Sequence, residues 1–127
     1  MKLIIGGYAQ GKLQYVLKKY DQEHCIVWDT EFPTEFSQQG KQVIFHHFHR
    51  WVKKRMKQGG CPEEEIRFLL EKYPDCIIIS DEIGNGIVPI DAFEREYRER
   101  TGRMLIELAS GAEEVERVIC GIGQKIK

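Results

Sequence analysis

Apolar residues fall into short blocks separated by polar turns, and the spacing inside each block predicts an element. Met1 to Ile5 reads as a short buried strand running straight into glycines. After Lys12, the residues Leu13, Val16, Leu17 and Tyr20 recur at the spacing of one helical face. Cys25-Ile26-Val27-Trp28 is a second strand, bounded by Asp21-Gln22-Glu23 before it and Asp29-Thr30 after it. Residues 31 to 41 are polar, contain Pro33 and Gly40, and read as loop. Gln42 to Phe45 is a third strand that leads into His46-His47-Phe48-His49-Arg50-Trp51. Trp51, Val52 and Met56 then suggest a short basic helix ended by Gly59-Gly60.

Pro62 suits the first position of the next helix, whose apolar face is Ile66, Leu69, Leu70 and Tyr73. Tyr73-Pro74-Asp75 breaks that helix. Cys76-Ile77-Ile78-Ile79 follows as an unbroken buried run, suited to the middle of a parallel sheet. Ser80 to Ile90 reads as a loop with two glycines and Pro89. A long helix carries Phe93, Tyr97, Met104, Leu105 and Leu108 on its inner side. Val115 to Cys120 reads as the last strand, with Gly121-Ile122-Gly123 opening a tail. Strands alternating with helices predict an α/β fold: a mainly parallel sheet flanked by helices, with residues 1–127 as one domain.

Charge narrows the function. Nineteen Lys and Arg against twenty Asp and Glu give a net charge of −1. That balance offers no field for a polyanion, so nucleic acid is not the expected partner. Cys25, Cys61, Cys76 and Cys120 lie far apart with no C-x-x-C pair, and Cys25, Cys76 and Cys120 sit in apolar runs. Free buried thiols, no disulfide and a reducing, cytoplasmic compartment are expected. Lys12 arrives too early for a secretory leader, and no apolar run reaches the length of a membrane span.

The candidate chemistry opens at Gly6-Gly7-Tyr8-Ala9-Gln10-Gly11-Lys12, between an apolar strand and an amphipathic helix. In the pattern G-x-x-x-x-G-K-[ST], glycines let backbone N–H groups turn inward on phosphate oxygens, and the lysine adds charge near the outer phosphates. Gly6, Gly11 and Lys12 hold the required positions, so the fold is P-loop-type and the expected ligand is ATP or GTP. The Ser or Thr whose hydroxyl reaches Mg²⁺ is Leu13 here, and leucine cannot ligate a metal. The loop therefore argues for binding more than for catalysis, with Mg²⁺ held poorly or from elsewhere.

Downstream, Asp81-Glu82-Ile83-Gly84-Asn85-Gly86-Ile87-Val88-Pro89 resembles the "NEVGxGIVP" loop of the bifunctional adenosylcobinamide kinase/adenosylcobinamide-phosphate guanylyltransferase family. Phe93-Glu94-Arg95-Glu96-Tyr97-Arg98 and Thr101-Gly102-Arg103 resemble the family's "F-R-D-x-x-G-R-x-N" stretch. Gly121 to Lys127 is similar to its "GIGVKIK"-type ending. With the glycine loop in register, the likeness covers the first quarter and the last two fifths of the chain. It implies a P-loop fold assembled as a homotrimer, phosphorylation of a hydroxyl of cobinamide, and GMP transfer from GTP through a guanylylated histidine, late in cobalamin assembly or salvage.

Family members are several tens of residues longer, and the shortfall lies between the second strand and the Gly84 loop. Two placements of the histidine cluster compete. In the favoured one, Val43 to His46 aligns with a family strand ending in an acidic residue, so His46 replaces a carboxylate and the acceptor-histidine helix is missing. In the other, His46 and Arg50 reproduce an H-x-x-x-R spacing around the acceptor histidine. The resemblance also sets Trp28, Asp29 and Thr30 at a nucleotide-contacting segment.

By their own chemistry, His46, His47 and His49 are candidates for acid–base or covalent work, with His46 and Lys12 as the catalytic choices. On a continuing strand His47 faces away from the other two. The cluster has no carboxylate or thiolate at ligand spacing nearby in sequence, so no metal site is expected. Arg50, Lys53, Lys54, Arg55 and Lys57 form a basic run that reads as a solvated helix face. Asp81 and Glu82 follow the best strand, at the sheet edge where α/β folds bind ligands. The expected function is nucleotide binding with weakened phosphoryl transfer to cobinamide. The alternative is a binding relative that keeps a nucleotide or corrinoid without transferase activity.

Overall fold

The computed structural model describes residues 1–32, 40–84, 86–87 and 90–127. Its strands are β1 (Lys2–Gly6), β2 (Cys25–Asp29), β3 (Gln42–His46), β4 (Ile77–Asp81), β5 (Glu114–Ile119) and β6 (Ile122–Lys125). The α-helices are α1 (Lys12–Leu17), α2 (Phe48–Lys57), α3 (Pro62–Lys72) and α4 (Ala92–Gly111). The six strands form one sheet in the order β2-β3-β4-β1-β5-β6, parallel except for the β5–β6 pair. The expected mainly parallel α/β architecture is the one observed. Because β1 to β5 run the same way, Gly6, Asp29, His46, Asp81 and Ile119 all end on a single carboxyl edge.

Alternation along the strands divides the core. Leu3, Val43, Phe45, Ile78 and Val115 point to one face, where they pack with Trp51 and Val52 of α2, Ile66 and Leu69 of α3, and Tyr97, Met104 and Leu108 of α4. Ile4, Ile44, Ile77, Ile79 and Val118 point to the other face and meet Val16 of α1. The central strand β4 is buried on both sides, as its unbroken isoleucine run requires. Pro62 opens α3 and Glu63, Glu64 and Glu65 fill its first turn, where negative charge suits the helix dipole. The Asp91 carboxylate caps α4 by accepting from the N–H groups of Phe93 and Glu94.

The chain departs from its sequence pattern in three places. The helix after Lys12 stops at Leu17, so Tyr20 lies beyond it although it still packs on the smaller core. Val115 to Cys120 is not the last strand: Cys120 and Gly121 turn left-handed, with φ of 50° and 75°, and β6 folds back on β5. β6 has no buried apolar row to announce it, since Ile122 is exposed, and it is held through its pairing with β5. Cys120 is accordingly exposed on that turn and Cys25 is half-buried, leaving Cys76 as the thiol in the core. All four cysteines are free. No helix among the described residues is long and apolar enough to cross a membrane.

Candidate functional site

Residues 6–12 leave β1 at the carboxyl edge and curl over it. A Cβ on Gly6 would sit 2.5 Å from the Val118 carbonyl oxygen, so only glycine lets β1 lie this close to β5. Gly11 adopts φ 81° and Ala9 φ 54°, the left-handed geometry that turns a loop back on itself. Gln10 pins the loop from the other side: its side-chain oxygen accepts from the Cys120 N–H at 2.7 Å, and its carbonyl accepts from the Gly121 N–H at 2.8 Å. The β5–β6 turn that the sequence pattern left as a tail is thus the clamp on the glycine loop.

Lys12 is buried, with only 5% of its side chain exposed. Its Nζ donates to the Gly7 carbonyl at 2.7 Å and pairs with Asp81 Oδ1 at 2.6 Å. The register Gly6↔Asp81 across β1 and β4 brings the two strand ends together. Asp81 continues the chain of contacts. Its N–H donates to His49 Nδ1 at 3.1 Å, which leaves the His49 proton on Nε2, 3.4 Å from Asp81 Oδ2. Burial pushes the His49 imidazole down to about 4, against the pull of Asp81, so this ring is neutral near pH 7. Tyr97 Oη donates to the His49 carbonyl at 2.9 Å and anchors the start of α2 to α4.

A cleft of about 280 Å³ lies over this arrangement, walled by Tyr8 to Gln14, His46, His47, Arg50 and Asp81. The structure therefore gathers most of the expected site residues: Tyr8, Ala9, Gln10, Gly11, Lys12, Leu13 and His46 line the cleft, while Gly6 and Gly7, which lead into the loop from β1, do not. Leu13 presents no oxygen, and Asp81, the acidic wall residue, is already paired with Lys12. Magnesium thus finds a poor protein donor set on this wall. Glu82 is drawn away to Arg117, at 2.9 Å.

Trp28 is not brought to the cleft: it pairs in register with Phe45 and packs against the larger core. Thr30 is left-handed, with φ 63°, and its hydroxyl donates to Asp29 Oδ1 at 2.9 Å. The basic run is mostly neutralised, with Lys53 on Glu94, Lys54 on Glu31 and Arg55 on Glu65. Arg50 faces the cleft and has no ion-pair partner among the described residues.

The expected orientation of His47 is corrected. β3 ends at His46, and His47 takes φ 59° and ψ 46° at the start of α2. That left-handed step turns its ring back beside His46, with ring centroids 3.6 Å apart. The missing carboxylate is supplied by tertiary structure: Asp29↔His46 is a register pair of β2 and β3, and Asp29 Oδ1 lies 2.5 Å from His47 Nδ1. Burial, then the neighbouring His47, lowers the His46 pKa, with Asp29 opposing. Burial raises the Asp29 carboxyl, but hydrogen bonds from His47 and Thr30 outweigh it and hold Asp29 below its ordinary value.

The model of the cobinamide kinase / cobinamide phosphate guanyltransferase family matches residues 29–126. The chain belongs to this family. A 69-residue stretch is 38% identical to the bifunctional adenosylcobalamin biosynthesis protein CobU of Salmonella typhimurium strain LT2, covering 51% of this chain and 38% of that protein. A 67-residue stretch is 39% identical to the protein of the same name from Escherichia coli K12, covering 50% of this chain and 37% of the relative. The matches thus span well under half the length of these relatives. The family match begins at Asp29, so the glycine loop lies outside it. Within the family's Gly84 loop, Gly84 and Gly86 have φ of 100° and 94° with open space where a Cβ would be, which marks them as turn residues. Asn85, Val88 and Pro89 lie outside the described residues.

Proposed function

We propose that residues 1–127 form a single nucleotide-binding domain that holds the phosphates of ATP or GTP on Gly6–Lys12, as a shortened relative of the cobinamide kinase/guanylyltransferases. The observation that carries this reading is Lys12, a buried cation held at the carboxyl edge by Asp81 beneath a glycine turn. A lysine is rarely buried without a partner to neutralise it, and a phosphate is a stronger partner than one carboxylate. On binding, Lys12 exchanges Asp81 for phosphate oxygens, and the loop N–H groups, with Arg50 at the cleft mouth, take the remaining charge. α1 has six residues, so its dipole adds less than the loop amides do.

Phosphoryl transfer to cobinamide and GMP transfer are the reactions that the relatives' family name carries, and both are weakened here. Transfer depends on positioned charge and metal, and Leu13 offers no hydroxyl while His46 stands where the resemblance sets a carboxylate. His46 is the residue to test as a nucleotide acceptor, because its ring is neutral and on the cleft wall. A cytoplasmic trimer and a corrinoid ligand follow from the resemblance and belong to the same proposal.

Calorimetry of ATP and GTP, with and without Mg²⁺, on wild type and Lys12→Ala tests the binding. Micromolar affinity lost in Lys12→Ala is expected, and no binding tighter than about millimolar sinks the reading. Labelled GTP followed by denaturation tests transfer: an acid-labile adduct absent from His46→Ala means that the guanylyl step survives, against the weakened-transfer reading.

A further inference from the structure

Asp29, His46 and His47 each offer a ligand atom, and these atoms lie within 4.8 Å of one another. We propose that they form a binding site for a divalent transition-metal ion of the zinc class, set in the wall of the phosphate cleft. The spacing suits such an ion: donors around a tetrahedral zinc at about 2.1 Å stand roughly 3.4 Å apart. Here His46 Nδ1 is 3.6 Å from Asp29 Oδ2, already near that distance, and His47 Nδ1 is 2.5 Å from Asp29 Oδ1, a pair that has to open by about 0.9 Å to reach it. Two imidazoles and one carboxylate are a donor set that borderline metals prefer, whereas Mg²⁺ takes oxygens.

The second observation is a poorly met nitrogen. His46 Nδ1 is buried and makes no hydrogen bond of ordinary length among the described residues; Asp29 Oδ2 lies 3.6 Å from it. The Asp29 carboxylate is drawn closer to His47, so His46 Nδ1 keeps only this long contact, and a cation shared by the three groups would satisfy it. The backbone is also committed to bringing the rings together. Thr30 and His47 both hold left-handed φ, of 63° and 59°, a conformation that residues other than glycine adopt at some cost. The Thr30 hydroxyl on Asp29 orients the carboxylate, as an outer-shell partner does in known metal sites. Three protein ligands leave a coordination position for water or for an oxygen of whatever occupies the cleft that His46 and His47 line. The ion binds the nucleotide-free protein, so the site does not rest on the nucleotide reading.

Calorimetric titration of the nucleotide-free chain with Zn²⁺, Co²⁺ and Mg²⁺ is the test. Expected are one Zn²⁺ per chain at micromolar affinity or tighter, no competition from Mg²⁺, and at least about tenfold loss in each of Asp29→Asn, His46→Ala and His47→Asn. Asparagine is chosen at 47 because it accepts left-handed backbone. His24→Ala and Cys61→Ser should change nothing. Zn²⁺ should also raise the thermal midpoint of wild type and not of the three variants. If a variant does not fold, the visible spectrum of the wild-type Co²⁺ form decides: nitrogen and oxygen ligation gives no thiolate charge-transfer band. Affinity weaker than about millimolar, binding undiminished in folded variants, or a thiolate band overturns the proposal.

Discussion

The Gly6–Lys12 loop and the Asp29 corner share one sheet edge but are held in opposite ways. Gly6 to Lys12 is contiguous, clamped by backbone contacts to β5 and the β5–β6 turn, and closed over a buried cation already matched by Asp81. The corner joins two strand ends and a turn. It leaves Asp29 56% exposed and the buried His46 Nδ1 with only a long 3.6 Å contact to it. A clamped, neutralised loop keeps its shape whether or not a ligand is present. The corner, under the proposal above, is completed by one. The difference separates a loop whose charge is already matched within the protein from a corner whose donors are only partly matched.

The largest expected effect breaks the neutralisation of the loop. Asp81→Ala leaves Lys12 buried without a carboxylate and should cost about 3–5 kcal/mol in urea unfolding. A loss below about 1 kcal/mol would mean that Lys12 escapes to solvent and that the loop is not clamped. Lys12→Ala should weaken nucleotide binding roughly 100-fold by calorimetry, while Asp29→Asn changes it less than tenfold. Equal losses would show that loop and corner are one site.

Acid sharpens the contrast through the histidines. Unfolded, His49 takes up its proton near 6.5; folded, only near 4. Between those values the unfolded chain binds more protons, so stability is full above pH 6.5 and falls as the pH drops towards 4. The slope is at most about 1.4 kcal/mol per pH unit for this one group. His46, lowered in the same direction, adds to it. His49→Asn should flatten the dependence in urea titrations run at several pH values, since the amide oxygen can still accept from the Asp81 N–H. The smallest effect concerns the turn: exposed Ala9 at φ 54° predicts that Ala9→Gly stabilises by about 0.5–1 kcal/mol in thermal unfolding. Destabilisation would place a needed contact on the Ala9 methyl.

Local pattern alone determined most of the elements and the glycine loop. Strands with continuous isoleucine and valine, helices with a four-residue apolar repeat, and a glycine turn ending in lysine are all statements about neighbours in sequence. They survive folding because their causes are local: backbone sterics, side-chain periodicity and the N–H geometry of a turn. The family likewise rests on contiguous motifs. Tertiary structure decided what lies far apart in the chain. Asp81 became the partner of Lys12 through the β1–β4 register, and Asp29 met His46 through the β2–β3 register. Periodicity set His47 on the wrong side because one left-handed residue ends the strand, and no apolar pattern marks such a step. β6 escaped notice for a related reason: an edge strand held by backbone pairing needs no buried row of its own. Charge matching and metal-ligand geometry depend on distances across strands, and those distances exist only once the sheet has formed.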